Sequence, residues 1–343
     1  PMPEDRERII SAEAASAEEE QFNWSLRPKR LDDIIGQREL VERLRISLEA
    51  ARGRGEPLEH VLFYGPPGLG KTTFAHVIAN EIGSRLSQTS GPALIRAADL
   101  LGLLTNLQPR DILFIDEIHR LPAAVEEFLY PAMEDFRIDF VVDKGPFAKT
   151  VPVPLHPFTL VGATTRAGLI SKPMRERFGI YHHVDFYPVE DIKEILRRSA
   201  RILELQADEA SLDEIAKRSR GTPRVANRLL RRVRDYVAVK ARGKFTHPAV
   251  ADALGLEGVD EAGLDEHDRK YLRTIIDFYK GGPVGIEAIA STLNEDPDNI
   301  QDLVEPFLLK IGFLKRTRKG REATDLAYKH LGLATGHAQR TLF

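Results

Sequence analysis

The chain has 343 residues, 42% hydrophobic and 29% charged, with a net charge of −3 and no cysteine. That balance fits two or three soluble globular domains and excludes disorder throughout, a disulfide framework and a thiolate metal site. The longest uncharged stretch, residues 150–165, is broken by Pro152, Pro154 and Pro157, and a membrane helix needs roughly 20 apolar residues.

Residues 1–21 carry seven acids against Arg6 and Arg8 and read as a solvated, poorly ordered terminus. They lack an apolar core segment, so no signal peptide is expected and a cytoplasmic location is the default expectation. Residues 22–186 read as a large α/β domain. Short apolar runs at 61–64, 112–115 and 159–163 each end in turn or polar residues, as buried parallel strands do. Helical patterns at 72–82 and 123–134 lie between them and would cover the faces of the sheet. Residues 136–154 fit a hairpin, with Ile138, Phe140 and Val142 alternating before a turn at Lys144-Gly145-Pro146.

Residues 187–258 show helical periodicity, with apolar stripes at Ile192, Ile195 and Leu196 and at Leu229, Leu230 and Val233, and read as a small all-helical domain. The Gly- and acid-rich stretch 255–268 reads as a linker. Residues 259–343 then give a helix at 269–279, a short helix at 285–293, a turn at Asn294 to Pro297, a helix at 299–311 and a basic hairpin at 313–323. That order is a winged helix; a three-helix bundle would share its first part.

Positive charge clusters twice. Residues 217–244 hold eleven Lys or Arg and one acid, and residues 310–321 hold six and none. Such clusters mark a phosphate-bearing partner, a solvated helix face or an ion-pair surface between subunits.

Gly65-Pro66-Pro67-Gly68-Leu69-Gly70-Lys71-Thr72 follows an apolar strand and opens a helix, the context a phosphate-binding loop requires. Gly65, Gly68 and Gly70 let backbone N–H groups curl around phosphate oxygens. Lys71 would reach the β- and γ-phosphates, and Thr72 would ligate Mg²⁺. Asp116 and Glu117 end a second apolar strand; Asp116 would hold Mg²⁺ and Glu117 would polarise the attacking water. ATP, ADP and Mg²⁺ are therefore the expected ligands. A third strand ends in Thr164-Thr165, where a hydroxyl could orient water near the γ-phosphate. His119 and Trp24 read as structural, Trp24 as a packing anchor, and His182 and His183 lack a metal-ligand set.

Gly65 to Thr72, Asp116-Glu117-Ile118-His119-Arg120 and Gly221-Thr222-Pro223-Arg224 together resemble the AAA+ ATPases. Pro131 to Asp135, Gly162 to Gly168 and Arg224 to Asp235 narrow the resemblance to the RuvB family of bacterial branch-migration motors, from about Phe22 to about Thr324. The resemblance implies that Leu26, Arg27, Pro28, Ile34, Ile35 and Tyr187 line the adenine pocket. It adds Thr73, Glu134, Asp135 and Phe136 to the nucleotide contacts. It implies Thr165 as the γ-phosphate sensor, with Thr164 as alternative, and Arg224 as a second sensor on the helical domain. Arg177 is implied as an arginine finger acting on a neighbouring subunit, with Arg175 as alternative. It further implies a homo-hexamer around duplex DNA at four-way junctions, a RuvA-type partner docked on hairpin 136–154 through an apolar tip such as Phe147, and a resolvase in the same complex.

Arg316 and Arg321 are implied as DNA-phosphate contacts on the wing. Arg318-Lys319 stands where the family usually has Pro-Arg, and Ile95 where it usually has an acid. The implied function is an ATP-driven DNA translocase of homologous recombination and repair. A clamp-loader-like switch, or a DNA-binding regulator that uses ATP only to assemble, would share many of these parts.

Overall fold

The computed structural model describes residues 17–142 and 149–334. Residues 1–16, the Lys144-Gly145-Pro146 turn and Phe147 lie outside the described residues. The chain forms two compact units. One gathers Arg27–Gly65 and Leu69–Asp185; the other gathers the described residues up to Leu26, Pro66–Gly68 and those from Phe186 onward.

In the first unit, helix α2 (Arg38–Arg54) precedes β1 (Val61–Tyr64), α3 (Lys71–Ile82), β2 (Leu86–Ser90), α4 (Ala97–Thr105), β3 (Ile112–Asp116) and α5 (Ala123–Asp135). Then come β4 (Arg137–Val142), β5 (Lys149–Pro154), β6 (Thr159–Thr164), α6 (Lys172–Glu176) and β7 (Ile180–His183). Five strands make one parallel sheet in the order β2-β3-β6-β1-β7. β3 and β6 are buried almost throughout, which is why they read as continuous apolar runs. β2 carries Leu-Ser-Gln-Thr-Ser and is only half-buried; β7 has two histidines. Both are outer strands, and neither gives an apolar run in the sequence. β4 and β5 pair antiparallel from Arg137↔Pro154 to Val142↔Lys149, the expected hairpin. It forms a separate two-stranded sheet, so Pro152 and Pro154 break no central ladder.

The second unit begins with α1 (Ala17–Leu26), so the helix reaches into the segment read as disordered. Trp24 is 52% exposed, whereas Asn23 and Leu26 of the same helix are buried, so Trp24 is not the buried anchor expected of it. Phe22 instead lies under Arg231 and Arg234, 5.4 and 5.7 Å from the guanidinium carbons. The lid follows as α7 (Val189–Ile202), α8 (Glu209–Arg218), α9 (Pro223–Lys240) and α10 (His247–Leu256). Arg228 is buried, so the 217–244 cluster is partly absorbed by packing of the helices themselves.

The stretch read as a linker is a structured turn. Asp260 accepts from the backbone N–H of Ala262 and Leu264 and pairs with Arg269 and His330. Asp265 caps α11 (Glu266–Arg273) by accepting from Asp268 N–H. Its acids are local caps rather than solvated charges. A π-helical turn, Thr274–Phe278, extends α11. Then come α12 (Ile286–Leu293), α13 (Pro297–Asn299), a second π turn at Ile300–Val304, and α14 (Glu305–Lys310). The wing is β8 (Leu314–Thr317) against β9 (Gly320–Ala323), with Arg316 opposite Arg321, and α15 (Asp325–His330) closes the domain. Lid and winged helix share this unit through Arg220. Its Nη2 lies 3.1 Å from Asp268 Oδ2 in an ion pair with both side chains buried. Its guanidinium lies 4.3 Å from the Phe307 ring centre.

Candidate functional site

The strand order decides where the chemistry converges. β6 lies between β1 and β3, so the phosphate loop after β1, the carboxylates after β3 and Thr164-Thr165 after β6 meet at neighbouring carboxyl ends. That edge is where parallel α/β sheets bind ligands. Gly65, Gly68 and Gly70 have φ of +140, +76 and +102, the left-handed region that glycine alone adopts without strain. A Cβ on Gly65 would lie 2.2 Å from the Val184 carbonyl oxygen. The loop is thus built as a bare-backbone cradle. Lys71 is buried, with Nζ donating to the Gly65 carbonyl at 2.7 Å, back across the loop. Lys71 also opens α3, so the first N–H groups of that helix add to the anion cradle. Thr72 and Thr73 follow, both half-buried.

Asp116 ends β3, and its Oδ1 accepts from Glu117 N–H at 2.9 Å. Glu117 has φ +47 and ψ +46, a costly conformation for a residue with a side chain. Its Oε2 accepts from Thr165 Oγ1 at 3.2 Å and lies 3.2 Å from His119 Nδ1. His119 Nδ1 is also 2.9 Å from Thr164 Oγ1. Burial pushes the Glu117 carboxyl above the usual glutamate range, and Asp116 adds to the push against the pull of Lys71. A raised pKa makes the carboxylate a stronger base toward an attacking water. Gly91 supports the bend: a Cβ there would lie 2.3 Å from the Glu117 carbonyl oxygen. Neither Gly91 nor the His119 contacts emerged from the motif, since nothing local in sequence joins them to Glu117.

Arg177 closes α6. Its Nη2 lies 3.0 Å from Glu134 Oε1, its Nη1 donates to the Pro173 carbonyl at 2.7 Å, and its guanidinium lies 4.1 Å from the Tyr130 ring centre. Its buried Nε has no hydrogen-bond partner among the described residues. Arg175 donates to the carbonyls of Ala167 and Ile170 and so serves its own loop. Asp135 pairs with Arg137 at 3.3 Å. Phe136 meets Phe158 edge-on at 5.9 Å. Ile34 and Ile35 are half-buried, and Ile95 is 71% exposed, with no packing role.

Leu26, Tyr187 and Arg224 belong to the lid-bearing unit. Arg198 Nη1 donates to the Leu26 carbonyl at 2.6 Å, and Tyr187 N–H donates to the Gly221 carbonyl at 2.9 Å. Arg224 stands in the first turn of α9, just after Pro223. On the wing, the side chain of Arg316 is 45% exposed and that of Arg321 15%. Lys315, Arg318 and Lys319 are exposed beside them.

Among the described residues, no group of three or more His, Cys, Asp or Glu could hold a metal ion alone. Thr72 and Asp116 fit Mg²⁺ only with phosphate oxygens completing the set, as this ion usually binds in such sites. No helix of the described residues is long and apolar enough to cross a membrane.

A parallel sheet bearing a glycine phosphate loop, strand-end carboxylates and a helical lid defines a P-loop ATPase of the AAA+ class. Residues 26–184 match the P-loop domain of the Holliday junction DNA helicase RuvB, 187–260 the RuvB AAA lid domain and 261–332 the RuvB C-terminal winged helix domain. The chain belongs to the RuvB family. It is 59% identical over 310 residues to the Holliday junction branch migration complex subunit RuvB of Desulfosudis oleivorans, covering 90% of each. It is also similar to the solved Thermotoga maritima RuvB Holliday junction branch migration motor, at 49% identity and TM-score 0.84, covering 90% of this chain and 99% of that one. An alanine-to-serine variant of that Thermotoga protein gives 49% identity and TM-score 0.85 over the same shares.

Proposed function

We propose that this chain is the ATP-driven motor that moves four-way DNA junctions, working as a homo-hexamer around duplex DNA in the bacterial cytoplasm. The observation that carries the reading is one chain holding a hydrolytic edge and a basic wing, within RuvB family matches that run from residue 26 to residue 332. Hydrolysis would begin with ATP phosphates in the glycine cradle, Lys71 turning from the Gly65 carbonyl to the β- and γ-oxygens. Thr72 and Asp116 would hold Mg²⁺, which when bound neutralises charge on those oxygens. Glu117, as carboxylate, takes the proton of the attacking water, with Thr165 hydrogen-bonded to it and placed to read the γ-phosphate. Leu26, Arg27 and Tyr187 would hold the adenine, and Arg224 would read the nucleotide from the lid.

Arg177 is the candidate finger for the nucleotide of the next subunit. Its guanidinium is held at the end of α6 by Glu134, Tyr130 and the Pro173 carbonyl, whereas Arg175 bonds the carbonyls of its own loop through Nη2. Supplying such a charge in trans stabilises the transition state and ties turnover to ring assembly. The β4–β5 hairpin would dock a RuvA-type junction-binding protein, with a resolvase joining the same complex. Arg316, Arg321 and the flanking cations would grip DNA phosphates without reading sequence.

The test is ATP-driven dissociation of a synthetic four-way junction with the junction-binding partner, using Glu117→Gln as control. Dissociation by wild type alone is expected. Junctions left intact while DNA still stimulates ATP turnover would replace the motor with a loading switch.

A further inference from the structure

A single carboxylate lies under the wing. Glu305 opens α14 with its side chain 0% exposed. Its Oε1 accepts from Tyr271 Oη at 2.7 Å and from Arg321 Nε at 2.9 Å. Its Oε2 accepts from Arg316 Nε at 2.7 Å, from Arg316 Nη2 and, at 3.4 Å, from Arg321 Nη2. Gln301 Oε1 takes a further bond from Arg321 Nη2 at 3.3 Å. Tyr271 is wholly buried, and burial pushes its hydroxyl far above the ordinary tyrosine range, so it stays a donor.

Three features make this more than a clip. Arg316 and Arg321 are direct partners across the β8–β9 ladder, and like charges facing each other there repel. The buried carboxylate is the anion that lets both guanidiniums share one face. Second, each arginine commits one edge, Nε and Nη2, and Nη1 of each makes no hydrogen bond among the described residues. A guanidinium held by one edge is oriented for a phosphate at the other. Third, two arginines and one glutamate leave a single net positive charge. A motor must release each phosphate as readily as it takes it, and added positive charge favours holding.

We infer that Glu305 is the positioning residue of the DNA wing: it orients Arg316 and Arg321 and holds their combined charge at a level that permits release. The inference rests on the proposed reading of the wing as the phosphate contact. Without the carboxylate, DNA phosphate becomes the anion that separates the two guanidiniums. Binding then tightens while movement slows, a combination that a merely structural residue would not give.

Glu305→Gln keeps the volume and an acceptor oxygen and removes the charge. In the full chain, duplex affinity at low salt is expected to tighten about two- to five-fold, the scale of one partly exposed charge pair. The log–log salt slope should steepen by about 0.9, one extra phosphate contact. ATP-driven junction dissociation at saturating DNA should slow several-fold. Affinity that falls together with dissociation, or no change in either, overturns the inference. Tyr271→Phe removes one hydrogen bond from the same carboxylate without changing charge, and decides the matter if Glu305→Gln folds poorly. It should slow dissociation and leave the salt slope alone; unchanged dissociation would overturn the positioning role. Arg316→Ala with Arg321→Ala separates the two readings. Wild-type DNA binding in that variant removes the wing as the contact; weakened binding there, with Glu305→Gln silent, removes only the role of Glu305.

Discussion

The nucleotide edge and the DNA wing are positioned by different means. At the nucleotide edge the backbone does it. Three glycines and Glu117 adopt positive φ, Lys71 bonds Gly65 six residues back, and three adjacent strands deliver the parts. At the wing the backbone is a short hairpin, and side chains from distant helices fix the arginines: Glu305 is 16 residues from Arg321 and 34 from Tyr271. A site built from backbone writes a motif, because each φ and each close approach demands one residue type. A site built from long-range side chains leaves only a run of charge in the sequence. The first should break at single positions. The second should shift in graded steps.

The largest expected effect lies at the backbone-built edge. Glu117→Gln should lower ATP turnover on the order of 10²- to 10⁴-fold, the range for a lost general base, with nucleotide binding kept. Phosphate release and a binding titration check it; turnover within tenfold of wild type would end the general-base role. Arg220→Ala comes next, in the lid-bearing unit. It leaves Asp268 charged and buried, which costs about 3–5 kcal/mol when one partner of a buried pair is removed. Urea unfolding of the full chain measures it, and a loss under about 1 kcal/mol would mean that the pair is solvated rather than buried. Gly91→Ala is smaller: its Cβ would press on the Glu117 carbonyl, and overpacking of this kind costs about 1–3 kcal/mol. Turnover should drop with it, since the strained bend at Glu117 is what moves. Undiminished turnover would show that the bend tolerates displacement.

The division between the two regions also governs what could be read from the sequence. The strands β1, β3 and β6 and the phosphate loop were legible, because buried parallel strands are unbroken apolar runs and the loop glycines have fixed spacing. β2 and β7 were not, since outer strands with Ser, Thr, Gln or His carry no such run. Asp116, Glu117 and Thr165 were legible as strand ends; that His119 and Gly91 brace Glu117 was not, because those contacts are made by the fold. The segment 255–268 was misread as a linker because caps and solvated acids look alike until Asp260 and Asp265 meet their N–H partners. The wing's charge was plain, but Glu305 appeared only as one more acid on a helix. Ile95, a departure from the family pattern, is exposed and explains nothing in the fold.

The smallest expected effect joins the strain of the nucleotide edge to its chemistry. Burial first, and the Asp116 charge second, raise the Glu117 pKa above its ordinary 4.5. The base works as carboxylate, so turnover should fall as pH drops through that raised value, placing the acid limb above the usual glutamate range. Stability moves the other way. Between the unfolded and the folded pKa the folded chain binds more protons, so stability falls as pH rises through that window and the loss persists above it. Glu117→Gln carries no such loss. The variant with the largest defect in turnover should therefore melt at or slightly above the wild-type temperature at neutral pH, with the difference closing below the ordinary glutamate pKa. Thermal midpoints across pH decide it. A variant that melts lower at neutral pH would mean that the contacts from Thr165 and His119 more than repay the cost of burying the charge, and that the edge is held by its side chains as the wing is.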